Sequence, residues 1–408
     1  MRSHALLAVV AAFCLMAACA IEGIAAQVKY EVTISAPDTG YSETPVWVPV
    51  KAPAEIKSGC TPRMVQADGR PVPCQFVRDG SDAWVVFILR GLNHGETRLH
   101  QLTLSDQPSA QRGPGVEVKP EGDEVTVTVG DSMLTRYCFA GTSKPYCYPV
   151  IGPGGAALTR NYPMKEAAGE STDHPHQRSF WFGFGDINGK DFWTEGKGCG
   201  RIVHRGFEAL ESGPVVGRIR ARNDWTADDG AKVGADVREL RFYRTREGQL
   251  LDFTITIQAG ETPLHFGDTK EGMFAFRIAC SMDLIRGKGH IVNSAGQTNT
   301  EAWGKRADWC DYSGPVEGRT VGIAIFDNPA NFRHPTFWHV RDYGLFAANP
   351  FGLRYYLGEE KGDEGLRIMP GESLTFRYRV LLHGGGAEQA NVATLYAEYA
   401  RPPQVTVR

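Results

Sequence analysis

Hydrophobic and polar residues alternate with a period of two along most of the chain. Clear examples are residues 125–129 (Val-Thr-Val-Thr-Val), 253–257 (Phe-Thr-Ile-Thr-Ile) and 321–325. Successive side chains of a β-strand point to opposite faces, so this pattern indicates strands with one buried and one exposed face. The sequence therefore predicts a protein built mainly from β-strands.

Turn-forming residues separate these strands at short intervals. Residues 246–249 (Arg-Glu-Gly-Gln) lie between the apolar segments 240–243 and 251–257, which predicts an antiparallel hairpin. No internal repeat of the kind found in propellers or solenoids is apparent. The pattern favours packed antiparallel sheets over a sheet of alternating strands and helices.

One segment near the end of the chain has a helical period instead. Val392, Leu395, Tyr396 and Tyr399 are spaced as on one face of a helix, between a run of glycines and two prolines. We predict a short C-terminal helix over residues 386–401.

Two β domains are expected. The stretch 107–115, rich in Gln, Pro, Ser and Gly, is the candidate linker between them. A small β-sandwich-like domain is predicted over residues 27–106 and a large antiparallel β-supersandwich over residues 116–385. The expected fold class is therefore all-β, with the helix at its end.

The first 26 residues have the pattern of an export signal. Arg2 precedes an apolar stretch, and small residues surround Cys19. Cleavage after Ala20 or near Ala26 would release a periplasmic or secreted protein, whereas a lipid anchor on Cys19 is the alternative. No later apolar run is long enough to cross a bilayer, so no integral membrane segment is expected.

The charge balance bears on possible partners. The formal net charge is −3, and neither sign dominates, so a nucleic-acid partner is not expected. The sequence gives no indication of the oligomeric state.

Cysteine usage leaves the redox state open. Two of the nine cysteines fall within the first 26 residues, so an odd number remains, which argues against a complete disulfide framework. Two pairs flank turn-rich stretches and could form disulfides in an oxidising compartment: Cys60 with Cys74, and Cys138 with Cys147.

The first candidate site lies at residues 173–179. Pro175 favours an extended backbone, in which His174, His176 and Arg178 would project from the same face. Imidazoles transfer protons near neutral pH, and a guanidinium group binds carboxylates or phosphates. The alternative is that these are ordinary residues of the surface or the core edge.

A second candidate lies at residues 266–272, where two acids and a lysine stand between glycines. Asp268 or Glu271, next to Lys270, can serve as a base or bind sugar hydroxyls. An ordinary charged turn is the alternative.

A third candidate lies at residues 303–314 and combines aromatic rings with both signs of charge. Trp303 can stack against the C–H groups of a sugar, while Lys305 and Arg306 bind its oxygens. Tryptophans in such a segment can equally belong to the core.

The fourth candidate begins at His334. In an extended strand His339, Arg341 and Tyr343 would share one face. The alternative for Arg341 is a structural ion pair with Asp342 or Glu271.

A metal centre is a further hypothesis for the histidines. His174, His176, His334 and His339 could supply the nitrogen ligands that copper or zinc prefers. The motifs of zinc proteases, nucleophile elbows, phosphate loops and dinucleotide sites are absent from the sequence. We therefore expect no cofactor and leave a divalent metal open.

Several of these segments together resemble the PmoA-like family of secreted bacterial proteins, over nearly the whole mature chain. They are residues 173–176, 185–189, 191–193, 267–272, 303–306 and 334–343. The resemblance implies a β-supersandwich similar to that of galactose mutarotase-like proteins and a role in the use of polysaccharides or glycosides.

The label of that family, methane oxygenase, implies a copper-dependent oxygenase as one alternative. Members commonly have a second histidine where this chain has Gln177. That departure argues against a metal site built from three consecutive imidazoles.

Taken together, these features predict a carbohydrate-active enzyme of the epimerase, lyase or hydrolase type that acts on a sugar or modified glycoside. A non-catalytic glycan-binding protein is the alternative. The expected catalytic residues are His174, His176, Asp268, Glu271, His339 and Tyr343. The expected substrate-binding residues are Arg178, Lys270, Trp303, Lys305, Arg306, His334 and Arg341. Seven of these residues are expected to line one concave face of the large domain: His174, His176, Asp268, Glu271, Arg306, His339 and Tyr343. His176 or His339 is the expected acid, and Glu271 or Asp268 is the expected base.

Overall fold

A computed structural model describes residues 27–54, 56, 60–108, 115–245 and 249–408. The expected export signal, with Cys19, lies outside the described residues. So do residues 109–114 of the expected linker and residues 246–248 of the expected hairpin turn. Residues 107 and 108 were expected in the linker but belong to a strand.

The described residues form 26 strands and two short α-helices. Strands β1–β7 are Gln27–Ser35, Tyr41–Pro49, Cys60–Gln66, Pro71–Val72, Cys74–Asp79, Asp82–Leu92 and Thr97–Pro108. Strands β8–β12 are Val116–Glu121, Glu124–Val129, Ser132–Cys138, Tyr146–Val150 and Phe180–Phe184. Strands β13–β18 are Arg201–Glu211, Val216–Thr226, Lys232–Arg244, Gln249–Ala259, Leu264–Phe266 and Gly272–Arg277. Strands β19–β26 are His290–Asn293, Trp309–Val316, Arg319–Asp327, Phe337–Val340, Leu345–Asn349, Leu366–Ile368, Ser373–Gly384 and Gln404–Val407.

The first seven strands form two small antiparallel sheets. One has the order β2-β6-β5, and the other has the order β26-β1-β7-β3-β4. The alternating residues Val32, Ile34, Val85 and Phe87 lie in the core between them. Because β26 comes from the other end of the chain, the second sheet is completed by residues 404–407.

Two eight-stranded antiparallel sheets make up the larger part of the protein. The first has the order β22-β23-β18-β12-β11-β10-β9-β8, and the second has the order β13-β14-β15-β16-β25-β21-β20-β19. The hairpin predicted from residues 240–257 is confirmed, since β15 pairs antiparallel with β16. We call these the first and second large sheets.

The inner faces of the large sheets share one aromatic core. Phe180 of β12 contacts Phe253 of β16 with ring centroids 6.0 Å apart, and Phe253 lies 5.0 Å from Phe274 of β18. Since side chains alternate along a strand, Trp181 lies on the opposite face of the first large sheet from Phe180 and Phe182.

The helices are α1 (Leu353–Leu357) and α2 (Val392–Ala400). The predicted C-terminal helix corresponds to α2, which is shorter than expected. Its Tyr396 packs against Phe326 of β21, and its Glu398 accepts hydrogen bonds from the backbone and hydroxyl of Ser42 in β2, at 2.8 and 2.6 Å. The helix therefore joins the second large sheet to the N-terminal sheets. With 53% of residues in strands and 7% in helices, the predicted all-β class is confirmed.

All seven cysteines among the described residues are free. In the pairing of β10 with β11, Cys138 lies opposite Tyr146 and Cys147 lies opposite Tyr137. The offset of one residue puts the two sulfur atoms on opposite faces of the sheet, which explains why this pair forms no disulfide. Within the described ranges, no helix is long and apolar enough to cross a membrane.

Removing β26 should destabilise the N-terminal sheets. Val405 and Val407 pack against their core, and the strand covers the edge of β1 through pairs such as Val32 with Val407. Deletion of residues 402–408 should therefore lower the free energy of unfolding by about 2 kcal/mol and expose a strand edge that promotes aggregation. Denaturant titration and size-exclusion chromatography would measure both effects.

The exposed face of β26 supplies the control for this prediction. Thr406→Ser should leave stability unchanged, whereas Val405→Ser with Val407→Ser should reproduce most of the loss. Equal stability of the deletion variant and the full chain would contradict the role given to β26.

Candidate active site

The candidate site lies on the outer face of the first large sheet, the face turned away from the second large sheet. Trp181 of β12 packs there with Trp193, Ala275 of β18 and Ala347 of β23. Both faces of β12 are therefore buried. The residues that cover its outer face provide the side chains of the candidate site.

A histidine and an aspartate form the best-defined pair of the site. His174 Nδ1 lies 3.3 Å from Asp173 Oδ1. The same carboxylate accepts hydrogen bonds from Arg160 at 2.6 Å and from Arg277 at 2.7 Å, and both guanidinium groups are buried. Burial raises the pKa of Asp173, but the charge of Arg277 and hydrogen bonds from neighbours including Arg160 outweigh it and hold the pKa well below its usual range. The carboxylate is therefore ionised and fixed next to His174.

The backbone of residues 173–178 is not extended, so that prediction is wrong. The Gln177 N–H donates to the His174 carbonyl at 3.0 Å, which closes a turn. His174 and Ser179 have φ values of 45° and 53° in the left-handed region, which is costly for residues other than glycine and often found at functional sites. The turn still brings the rings of His174 and His176 within 5.7 Å of each other.

Tyr343 packs flat on His174. The two ring centroids are 5.1 Å apart with an angle of 2° between the planes, and the Arg277 guanidinium lies 4.8 Å from the tyrosine ring. Burial raises the pKa of Tyr343, so its phenol is protonated at neutral pH. The residue lies in a turn after β22, closed by a 3.1 Å hydrogen bond from Gly344 to Arg341, and not in the extended strand predicted from the sequence.

His176 is neutral at neutral pH. Burial, followed by the charges of Lys144 and His174, lowers its pKa to about 4, although Glu195 and Glu271 act in the opposite direction. The fully buried Lys144 donates to Glu195 Oε1 at 3.0 Å. This lysine and its partner were not found from the sequence, because each is an isolated charge with no local pattern.

Arg178 also belongs to that buried group. Its Nε and Nη2 atoms donate to Glu195 at 3.0 and 2.9 Å, and its guanidinium lies 5.5 Å from the Tyr146 ring. A side chain predicted to hold substrate is thus engaged with a carboxylate of the protein itself.

Glu271 lies among the residues just described. Its carboxylate pairs with Lys270, and its carbonyl accepts a 2.7 Å hydrogen bond from Gly185. Its negative charge raises the pKa of both His176 and Tyr343, so it is within electrostatic reach of both.

His339 is the most buried imidazole of the outer face. Its neighbours in β22, Trp338 and Val340, face the core, so His339 faces outward. Burial, then the charges of Lys270 and Arg341, lower its pKa to about 3, and a hydrogen bond with the Lys270 backbone opposes them. Its Nδ1 has no hydrogen-bond partner among the described residues.

Arg341 contacts aromatic rings. Its guanidinium lies 5.6 Å from the Trp303 ring and 5.5 Å from the Tyr343 ring. Within the described part of the chain no carboxylate lies within 4.0 Å of it, so the alternative of a structural ion pair with Glu271 or Asp342 is not supported. The ring of Trp303 in turn lies 5.6 Å from Tyr356 of α1, whose ring lies 6.4 Å from His339.

Four predicted site residues have structural contacts instead. Asp268 accepts hydrogen bonds from the Arg354 backbone at 3.1 Å and side chain at 3.2 Å, and so fixes the start of α1. Arg306 donates to the carbonyl groups of residues 333–335. Lys305 is exposed, and its backbone carbonyl accepts a hydrogen bond from the Trp338 N–H.

His334 is the fourth of these residues. Its Nδ1 lies 2.8 Å from the buried Asp327 Oδ2, and its Nε2 lies 3.4 Å from Asp308. Burial raises the pKa of Asp327, and hydrogen bonds from His334 and Asn331 oppose that effect. The imidazole therefore serves to satisfy a buried carboxylate.

The predicted metal ligands do not assemble. No group of three or more His, Cys, Asp or Glu side chains in the described ranges is placed to hold a metal ion. Two larger surface depressions lie elsewhere. One, of about 630 Å³, lies between β19, β20 and α2, and the other, of about 990 Å³, lies beside Trp84. Neither includes a residue predicted for the site.

Comparison with known proteins gives one family and several distant structures. A family model described as a family of unknown function (DUF6807) matches residues 124–397. No curated protein matches the chain. The matching description has no methane oxygenase label, so the PmoA-like identification stays a prediction.

Three solved structures illustrate the structural similarity. A glycosyl hydrolase family 38 protein from Enterococcus faecalis is 11% identical with a TM-score of 0.43, and the match covers 93% of this chain and 47% of that one. An α-mannosidase from Enterococcus faecalis V583 is 11% identical with a TM-score of 0.44, covering 93% and 46%. A putative aldose 1-epimerase from Escherichia coli K12 is 12% identical with a TM-score of 0.26, covering 66% and 99%. The chain spans about half the length of the first two, and likeness at this level carries no argument about function.

The depressed pKa of His339 predicts how stability depends on pH. The pKa is about 3 in the folded protein, against an ordinary value of 6.5, so the unfolded chain binds more protons between these values. The contribution of His339 is complete above pH 6.5 and is lost as the pH falls. Between pH 7 and pH 4 the wild type should lose about 3 kcal/mol more free energy of unfolding than His339→Gln. Urea titrations at the two pH values would measure the difference, and parallel losses in the two proteins would contradict it.

His334 should matter for stability and not for chemistry. His334→Ala leaves the buried Asp327 carboxylate without its imidazole partner and should lower the free energy of unfolding by about 2–4 kcal/mol. The exposed His290 supplies the control, since His290→Ala should leave the unfolding midpoint unchanged. A fully stable His334→Ala protein would show that the pair is dispensable.

Proposed function

The chain belongs to the family of unknown function DUF6807, and we propose that its outer face is the active site of a carbohydrate-active enzyme that acts by proton transfer. The observation that carries the proposal is the Asp173–His174 pair packed against Tyr343. A base whose second nitrogen is held by a fixed carboxylate, next to a group that can donate a proton, is the arrangement that general acid–base catalysis requires.

His174 is the proposed base. We assign the imidazole proton to Nδ1, which lies 3.3 Å from the Asp173 carboxylate, and this leaves Nε2 to take a proton from the substrate. Its side chain is 40% exposed, so a substrate can reach it. Asp173 acts through His174 and is a positioning residue.

Tyr343 is the proposed acid. Its protonated phenol lies beside His174, and the two groups can exchange roles as proton donor and acceptor during one turnover. This assignment replaces the acid role expected for His176 or His339, because imidazoles with pKa values of about 4 and 3 carry no proton to donate as cations at neutral pH. His176 and Glu271 are left to bind substrate hydroxyls.

Aromatic side chains around these groups suit a sugar. Tyr356 lies next to His339 and packs against Trp303, and Tyr355 is 43% exposed with its ring 5.5 Å from the Lys270 amine. Aromatic faces stack against sugar C–H groups, while charged and polar neighbours bind the hydroxyls. We place this enzyme in the periplasm or outside the cell, on the basis of the first 26 residues of the sequence.

A glycan-binding protein without activity is the second candidate, favoured by the same aromatic side chains. A protein that only binds a glycan does not need a base that is positioned by a carboxylate. Loss of affinity in Trp303→Ala, without turnover of any sugar by the wild type, would support this second candidate.

Replacing the proposed base should stop turnover without unfolding the protein. His174→Gln should lower the rate about 10²–10⁴-fold, and Tyr343→Phe, which keeps the ring stack, should lower it about 10²-fold or more. The measurement is product formation from a panel of neutral and acidic oligosaccharides, followed by NMR, with the unfolding midpoint recorded for each variant.

The matched control for this experiment is His290→Gln, a remote exposed histidine, which should keep the full rate. A His174→Gln protein as active as the wild type would refute the assignment of the base. Loss of activity in His290→Gln instead would move the active site to the depression beside α2.

A further inference from the structure

Arg341 differs from the other arginines of the outer face. Arg160 and Arg277 share Asp173, and Arg178 pairs with Glu195. Arg341 has aromatic neighbours on two sides but, among the described residues, no carboxylate partner. A half-buried guanidinium without an anion is costly, so its position indicates that a ligand supplies the negative charge.

Two buried polar atoms next to Arg341 also have no hydrogen-bond partner among the described residues, an indole donor and an imidazole nitrogen. The indole nitrogen Nε1 of Trp303 is buried and has no hydrogen-bond partner in the described part of the chain, and the same holds for His339 Nδ1. Buried polar atoms are nearly always paired in folded proteins, so unpaired ones need a reason. The acceptor oxygens of a ligand would satisfy the Trp303 indole N–H together with the guanidinium, and a ligand hydroxyl group can donate to His339 Nδ1.

We propose that Arg341, with Trp303, binds the carboxylate of a uronic acid residue beside His339, and that His174 removes the proton from C5, the sugar carbon that bears this carboxylate. The inference rests on the proposed function, because it uses the same base. A guanidinium group matches the two oxygens of a carboxylate in a bidentate fork, which favours a uronate over a neutral sugar.

The spacing of the residues fits this arrangement. Tyr343 touches both groups, with its ring 5.1 Å from the His174 ring and 5.5 Å from the Arg341 guanidinium. The base and the cation are therefore at most about 11 Å apart. A carboxylate hydrogen-bonded to Arg341, the adjoining C5, and a reacting distance of about 3 Å to the base fit within that span.

The chemistry explains why the cation and the base occur together. Pairing the carboxylate with Arg341 stabilises the negative charge that develops on it when C5 loses its proton. His174 Nε2 takes the C5 proton, the electrons of that C–H bond form a C4–C5 double bond, and the C4–O bond breaks. The departing oxygen takes the phenolic proton of Tyr343, and the proton held by His174 then returns to the tyrosinate. The products are an unsaturated uronate and a free hydroxyl group, with no water consumed.

Binding experiments with the full chain test the anion subsite. The probes are glucuronate, galacturonate, the methyl ester of galacturonate, glucose and glucose 6-sulfate, titrated by calorimetry. The wild type should bind the two uronates about 10²-fold more tightly than the ester or glucose. In Arg341→Gln this preference should disappear, while Arg306→Gln, an exposed arginine that bonds only to carbonyl groups, should retain it. Preference for the sulfate over both uronates would overturn the assignment of a carboxylate.

A second readout does not depend on any variant. His339 lies between Lys270, Arg341 and Tyr356, and a carboxylate bound there adds a negative charge. The NMR-measured pKa of His339 should rise when glucuronate binds and should not change with glucose. An unchanged pKa at saturating uronate would overturn the proposed contact, even if Arg341→Gln failed to fold.

The chemical step has its own test. In D₂O the wild type should exchange the C5 proton of a bound oligogalacturonate and release a product with the ultraviolet absorbance of a conjugated double bond. His174→Gln should abolish both signals and still bind the uronate. If uronates bind through Arg341 but His174→Gln stays active, the base of the proposed function is wrong and the anion subsite stands. If neutral sugars turn over as well as uronates and Arg341→Gln is unaffected, the present inference fails and the proposed function stands.

Discussion

Two buried guanidinium groups, those of Arg160 and Arg277, share the carboxylate of Asp173, and the arrangement of the outer face depends on this triad. Arg277 lies at the end of β18, whereas Asp173 lies in the long connection before β12. Removing Asp173 would leave two buried guanidinium groups without their shared anion, which is strongly unfavourable. The triad therefore attaches the long loop that carries Asp173 to the first large sheet, through Arg277 of β18. It also explains how His174 can keep a left-handed backbone conformation and a defined ring position.

The architecture could be predicted from the sequence because it follows from a local pattern. The alternation at residues 125–129, 253–257 and 321–325 corresponds to strands β9, β16 and β21. The helical spacing from Val392 to Tyr399 corresponds to α2. The pairing of β26 with β1 could not be predicted, since an alternating segment of four residues does not specify which distant edge it joins.

The candidate site was only partly predictable. His174, His176, Glu271 and His339 stand in short segments dense in reactive side chains, and that density made them visible. Arg160, Arg277 and Lys144 are single charges whose role arises from contacts with residues far away in sequence. The extended form expected for residues 173–178 failed because a proline's local preference was outweighed by the buried ion pairs. Asp268 and Glu271 look alike in the sequence, and only the fold shows that Asp268 forms a hydrogen bond with the Arg354 side chain.

The closing of the N-terminal sheet by β26 has a consequence for how the protein is made. Residues 404–407 complete the sheet that begins at Gln27, and they are synthesised after every strand of the two large sheets. Until they emerge, the edge of β1 that pairs with β26 has no partner strand. Completion of this sheet is thus linked to synthesis of the chain through residue 407, so a chain terminated before residue 404 carries an open edge that quality-control proteases and chaperones can recognise.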